Sequence, residues 1–257
     1  MRYLSIAVAA AASAVSFTQI ATAADMPVKA PVVPAPAPIY NWTGFYVGVH
    51  AGWGWSDPTV AVTPSPAFVS ASGYETNSFD QNASGFIGGG QIGYNFQFTP
   101  NWVIGIEGDI SGTGIRETTV APITIGGIPL GGNYTHTAKR DISWLASVRG
   151  RVGYAADRWL IYVTGGGAWG RVEGTAGPNI PSILSPVTFS DTISGWTVGG
   201  GFEYAFANNW TARLEYLFYD LDDTSFTNAY TSNPTFFWTT TWDNKINVVR
   251  AAVNYKF

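Results

Sequence analysis

The last twelve residues, Ile246 to Phe257, read Ile-Asn-Val-Val-Arg-Ala-Ala-Val-Asn-Tyr-Lys-Phe. Their odd positions run Asn247, Val249, Ala251, Val253, Tyr255 and Phe257, and their even positions include Arg250, Asn254 and Lys256. A mostly apolar face opposite a charged one, at a period of two residues, describes a β-strand with a different solvent on each side. Such a strand needs neighbours along both edges to satisfy its backbone, and the rest of the chain has to supply them.

The same alternation opens the chain's second sixth. From Trp42 to Trp55 the odd positions are Phe45, Val47, Val49, Ala51, Trp53 and Trp55, and the even ones are Gly44, Tyr46, Gly48, His50, Gly52 and Gly54. Of the 257 residues 46% are hydrophobic, 15% aromatic and only 12% charged, with 30 Gly and 11 Trp. That mixture suits a β protein with close backbone packing and rings at an interface. The absence of cysteine excludes a disulfide scaffold, thiolate metal sites and cysteine nucleophiles. The net charge is −4, more negative by one without a leader carrying Arg2, so the basic footprint of a nucleic-acid binder is missing and no nucleic-acid partner is expected. Beyond the leader no apolar run approaches the roughly 18 residues of a membrane helix. Crossing a membrane would then require a closed barrel, because an open sheet edge in lipid leaves backbone groups unpaired.

Residues 1–23 begin Met-Arg-Tyr-Leu, run through an alanine-rich apolar stretch and end Ala21-Thr22-Ala23 before Ala24. This is a secretory signal peptide with an A-x-A cleavage site formed by Ala21, Ala23 and Ala24, which predicts export. Residues 24–41 carry Pro27, Pro31, Pro34, Pro36 and Pro38. Proline at that density favours an extended spacer, here a periplasmic lead-in without a fold of its own. The barrel domain is expected over residues 42–257.

Three segments repeat one pattern. Gly93-Tyr94, a Thr99-Pro100-Asn101 turn and Trp102 are followed by Gly153-Tyr154, Asp157-Arg158 and Trp159, then by Glu203-Tyr204, Asn208-Asn209 and Trp210. Each reads as a strand, a tight polar turn and a strand opening on tryptophan. The six rings Tyr94, Trp102, Tyr154, Trp159, Tyr204 and Trp210 then share one height, as a periplasmic aromatic girdle requires. The other connections are long, at about 57–82, 114–135, 175–190 and 222–243. Strands are expected at 43–56, 84–98, 102–113, 138–155, 159–173, 192–206, 210–221 and 245–257. The fold expected is all-β: an eight-stranded antiparallel up-and-down transmembrane barrel of the outer-membrane type, with both termini periplasmic.

Alternation also assigns the interior. Phe86, Ile92, Tyr94 and Phe96 face lipid while Gln91 and Asn95 point inside. The inward set contains the acids Glu107, Asp109, Glu203 and Glu215 and the bases Arg149, Arg151, Arg213 and Arg250. Eight strands enclose a space that side chains fill. A balanced set of charges there should pair, since an unpaired buried charge costs several kcal/mol. The cluster is read as a polar plug; the alternative is a small porin-like channel passing ions or small solutes.

No G-x-S-x-G or H-E-x-x-H pattern occurs, and the two histidines are His50, expected inside the first strand, and His136, expected to be exposed in a loop. Neither reads as catalytic. No enzyme activity, cofactor or metal is expected. Glycine runs at 88–90, 165–167 and 199–201 lack the Lys-Ser/Thr of a phosphate loop and sit in mid-strand, which points to backbone packing and curvature. The loops hold Asp57, Glu75, Asp80, Glu117, Asp222, Asp223 and Asp243 against Arg116. The last is rich in aromatics, with Phe226, Tyr230, Phe236, Phe237, Trp238 and Trp242.

A strand ending the chain on Phe257, with Tyr255 two places earlier, resembles the terminal signal of bacterial outer-membrane β-barrels. The opening Asn41-Trp42-Thr43-Gly44-Phe45-Tyr46-Val47-Gly48 resembles the start of the small outer-membrane barrel proteins of alphaproteobacteria. That family comprises major surface antigens with OmpA-like eight-stranded barrels, some described as haemin-binding. The resemblance covers nearly the whole chain. It implies an outer-membrane location, the lipid bilayer and the barrel-assembly machinery as partners, and a structural and surface-interaction role, with contacts to a host or ligand through loops 57–82, 114–135, 175–190 and 222–243. Haemin binding would need exposed ligands, for which His136 with Tyr134 is the obvious pair.

Overall fold

The computed structural model describes residues 40–73, 76–125, 128–129, 135–179, 187–229 and 233–257. The leader with Ala21, Ala23 and Ala24, most of the proline-rich lead-in, Glu75, Tyr134 and Tyr230 lie outside them. In chain order the elements are β1 (Gly44–Ser56), β2 (Thr59–Pro64), α1 (Pro66–Ser72), β3 (Asn77–Asp80), β4 (Ala83–Gln97), β5 (Trp102–Pro122), β6 (Thr124–Ile125) and β7 (Ile128–Pro129). They continue with β8 (Thr135–Ala156), β9 (Trp159–Asn179), β10 (Val187–Ala205), β11 (Trp210–Ala229) and β12 (Phe237–Lys256).

Eight long strands pair antiparallel in the order β1-β4-β5-β8-β9-β10-β11-β12, and β12 returns to β1. The closing ladder runs from Tyr46 opposite Lys256 to Trp55 opposite Asn247. It is prolonged by the Phe257 amide, which donates to the Phe45 carbonyl at 2.9 Å. The barrel expected from alternation is the fold. Its three tight connections fall at 98–101, 157–158 and 206–209. At the shortest, Asp157 takes φ 51°, the left-handed conformation that two-residue hairpins need and that Asp tolerates.

The long connections differ from the sequence expectation. β5, β8, β9, β10, β11 and β12 continue well past the limits read from apolar alternation, so much of 114–135, 175–190 and 222–243 is strand. These extensions are rich in threonine, which is β-branched and suits strands while its hydroxyl suits water; Thr227 and Thr239 stand opposite each other with hydroxyls 3.1 Å apart. Polarity there signals a change of solvent rather than an end of pairing. Within 57–82, β2 pairs with the outer part of β12 and β3 pairs with β2. They prolong β1 and β4 beyond breaks at Asp57-Pro58 and Gln81-Asn82. Ser65 caps α1, accepting from the Phe68 amide at 3.3 Å, and Gly73 ends it at φ 67°.

Inward side chains form layers. At the end where β1 begins and β12 ends lies a core of Tyr40, Trp42, Val103, Ala155, Leu160, Tyr162 and Ala205. The charged residues follow, and then an apolar layer that includes Ile87, Ile115, Ile142, Leu145, Leu217 and Val248. The outermost core is Val60, Val62, Ile123, Ala138, Trp238 and Trp242. The interior is therefore not polar throughout. At the start of the described stretch Tyr40 is 8% and Trp42 1% exposed. Trp42 donates from its indole to the Asp157 carbonyl at 3.1 Å, and its amide donates to Gln97 Oε1 at 2.9 Å. Both rings turn into the mouth instead of starting β1.

Candidate functional site

The eight charged side chains assigned inward meet in the middle of the barrel, each no more than 7% exposed. The register brings many of them together before any side chain is placed. Glu107 stands opposite Arg149, Glu203 opposite Arg213 and Glu215 opposite Arg250, in three different ladders. Directly opposed residues in an antiparallel pair lie about 5 Å apart at Cβ, within easy reach of a guanidinium.

Each carboxylate gathers more than one cation. Glu107 takes Arg149 and Arg213, both at 2.6 Å, and accepts from the Tyr46 hydroxyl at 2.5 Å. Asp109 takes Arg149 at 2.9 Å and Arg250 at 3.0 Å, and the Ser147 hydroxyl at 2.5 Å. Glu215 takes Arg250 at 2.7 Å, Arg149 at 3.2 Å and the Tyr162 hydroxyl at 2.8 Å. Glu203 takes Arg213 at 3.2 Å and Arg151 at 3.3 Å, with the Thr211 hydroxyl and Asn254 Nδ2 as further donors. The Arg151 guanidinium also lies 4.9 Å from the Tyr162 ring and 5.3 Å from that of Tyr46. Charge-assisted bonds of this kind are the strong ones, and their multiplicity offsets desolvation.

His50 joins the network from β1. Its Nδ1 lies 2.5 Å from Gln91 Oε1, which can only accept, so Nδ1 carries the proton. Nε2 then accepts from Ser111 at 2.7 Å. Gln91 Nε2 donates onward to Asn254 Oδ1 at 2.7 Å, linking β4 to β12. Sequence reasoning placed the eight charges inside but missed the hydroxyls of Tyr46, Ser147, Tyr162 and Thr211 that complete their coordination. The even-numbered face of β1 carried the signal for Tyr46.

On the outer face, Trp102 stands opposite Tyr154, Trp159 opposite Tyr204 and Trp210 opposite Tyr255. Their rings are 5.7, 4.4 and 5.1 Å apart, and Tyr94 packs on Phe45 at 4.6 Å. These contacts put Trp102, Tyr154, Trp159, Tyr204, Trp210 and Tyr255 in one belt at the end of the barrel where β1 begins and β12 ends. Phe257 is 70% exposed beside Tyr255, rings 5.2 Å apart. Above the belt the outward side chains stay apolar, with Ile104, Ile106, Ile110, Val148, Val152, Val163 and Val198 exposed.

Beyond that band His136 departs from expectation. It lies in β8, 3% exposed, because its strand continues where a loop was read and its position faces inward. Burial holds its imidazole near pKa 4, hence neutral. As a buried side chain it is not the exposed ligand that haemin capture through 134–136 requires. The acids beyond the band also have company: Arg116 lies 3.7 Å from Asp141, Arg171 2.9 Å from Glu173 and Lys245 3.5 Å from Asp243.

Residues 7–257 match the family described as outer membrane protein beta-barrel domain. The chain is 35% identical over 255 residues to the 31 kDa outer-membrane immunogenic protein of Brucella melitensis, covering 96% of this chain and 98% of that protein. It is 32% identical over 216 residues to the 22 kDa outer membrane protein of Rhizobium leguminosarum, covering 80% and 78%. Among solved structures, the outer membrane protease OmpT of Escherichia coli superposes with a TM-score of 0.48 at 8% identity, covering 86% of this chain and 99% of that one.

Proposed function

The chain belongs to the outer membrane protein beta-barrel domain family, and from that premise we propose that its barrel is a sealed envelope element whose long-loop end is presented at the cell surface. It is an outer-membrane protein, in contact with the lipid bilayer. The observation that carries the reading is the packing of four carboxylates and four guanidiniums into mutual contact between two apolar layers. An ion crossing this interior would have to displace paired charges, shed its water and then pass the Ile87–Leu145–Val248 layer. Breaking one partner out of such a network costs roughly 3–5 kcal/mol.

The termini and short turns lie on the periplasmic side in this reading, so the Trp–Tyr belt anchors the inner interface and the threonine-rich extensions stand outside the cell. Tyr255 and Phe257 are the signal read by the assembly machinery; their exposure at the end of the closing strand supports that role. Ala21 and Ala23 mark the leader's cleavage before Ala24. The Brucella relatives are named immunogenic, which supports a surface role for the loop end here, and no catalytic role is assigned.

Conductance of the refolded barrel in planar bilayers tests the reading. The parent should stay at the bilayer's leak level, and Arg149→Ala, if heat-modified gel mobility shows an intact barrel, should raise it. A steady, selective parental conductance that Arg149→Ala abolishes would overturn the seal and establish a pathway.

A further inference from the structure

A second polar layer crosses the barrel extension just beyond Ile142 and Leu145, and Arg140 is its only buried cation among the described residues. The residue is 1% exposed. Nη1 donates to Ser56 Oγ at 3.3 Å and Nη2 to Asn244 Oδ1 at 2.7 Å, while Nε has no partner. Both acceptors are neutral. Ser56 gives its own proton to the Lys245 carbonyl at 2.5 Å, and Asn244 donates to the Asp222 carbonyl at 2.7 Å and to Thr224 at 2.9 Å.

Among the described residues no carboxylate pairs with this guanidinium. Glu117 is its directly opposed residue in the β5–β8 ladder, yet no ion pair joins them. The Asp222 carboxylate accepts from Ser194 at 2.9 Å, and Asp141 faces Arg116. The neighbouring titratable group on the same inward face, His136, is buried and neutral. Trp242, the inward residue next to Asn244 on β12, is 1% exposed and its Nε1 also lacks a partner. The contrast with the four-against-four network below is direct. A lone buried charge is costly enough that proteins supply it with a counter-charge.

We propose that Arg140 binds a small monovalent anion of halide size at its free Nε edge. A halide accepts from N–H groups and asks for no donor bond in return, which fits an orphan N–H on a buried guanidinium. An oxyanion would bring more lone pairs than this free donor satisfies. Water is the rival occupant, because Gln81 Oε1 is buried and unpartnered too, and an acceptor takes water rather than an anion.

The test uses the full refolded chain. Its unfolding midpoint is measured in sodium chloride, sodium bromide and sodium gluconate at equal ionic strength, alongside Arg140→Met and Glu117→Gln. The midpoint should rise with halide in the parent and in Glu117→Gln, and the halide effect should vanish in Arg140→Met. Crystals soaked in bromide should show an anomalous peak beside Arg140, a result independent of whether Arg140→Met folds. A parental midpoint indifferent to halide, or no bromide peak at Arg140, overturns the proposal in favour of water. Halide dependence that appears only in Glu117→Gln overturns it in favour of Glu117 as the counter-charge.

Discussion

Glu107 on β5 and Arg149 on β8 face each other directly across an antiparallel ladder, and their side chains meet at 2.6 Å inside the barrel. Glu203 with Arg213 and Glu215 with Arg250 repeat the relationship on other strand pairs. Strand register and charge pairing therefore support one another. A slip of one residue on any of these strands would turn its charges toward lipid, at a cost of about 2–4 kcal/mol for each Arg at the bilayer midplane.

Arg149→Ala removes the guanidinium shared by Glu107, Asp109 and Glu215. Three carboxylates then compete for the remaining cations, and the expected loss is about 3–5 kcal/mol. Urea unfolding of the refolded barrel, followed by tryptophan fluorescence, measures it. A loss below about 1 kcal/mol, the level of an exposed pair, would contradict a dry network.

The two ends of β12 should fail differently. Arg250→Ala uncouples Glu215 and Asp109, so it should lower the temperature of the heat-modified gel shift while leaving membrane insertion intact. Deletion of Phe257 should slow assembly while leaving the unfolding temperature of molecules that do fold nearly unchanged. Interchanged phenotypes would refute the inward assignment of Arg250.

Two glycines separate close strand approach from mere smallness. A methyl group on Gly89 would overlap the Ile110 carbonyl of the neighbouring strand, whereas one on Gly150 meets nothing within 4 Å. Gly89→Ala should reduce folded yield and stability by more than the roughly 1 kcal/mol of a typical substitution. Gly150→Ala should be neutral or stabilising by up to about 1 kcal/mol. Equal effects would argue against tight packing at Gly89.

His136 sets a pH dependence for the barrel extension. Its folded pKa near 4 lies below the ordinary 6.5, so the unfolded segment binds the proton more readily. Its contribution is therefore fully present above about pH 6.5 and declines as pH falls toward 4, by up to about 3 kcal/mol. Amide exchange in 135–142 and 237–243 should accelerate over that window while 144–156 stays protected. His136→Phe should remove the acceleration.

Trp42 is buried in the core that holds Tyr40 and Leu160, at the end of the barrel where β1 begins. The chain has no cysteine, so a single Leu160→Cys is a clean probe of that core. It should resist a water-soluble maleimide in the folded parent and react once Trp42→Ala is added. Reaction in the parent would show that the mouth is open.

Much of this was legible in the sequence because a two-residue period is a local property. Alternation assigned Glu107, Asp109, Arg149, Arg151, Glu203, Arg213, Glu215 and Arg250 to one side of their strands, and three repeated turns set the strand order. Local pattern misread the places where solvent changes without any change in backbone pairing. The threonine-rich extensions looked like loops because water on the outer face erases the hydrophobic contrast, and His136 was misassigned with them.

What the sequence determined by itself was periodicity: which residues share a face, where the short turns fall, and that the final strand has a lipid side. Only the tertiary structure decided which acid meets which base, since that depends on the stagger between strands distant in sequence. Closure likewise brought Trp42 and Tyr40 into the mouth and, among the described residues, left Arg140 without a carboxylate. These are properties of a common interior, which exists only once β12 has paired with β1.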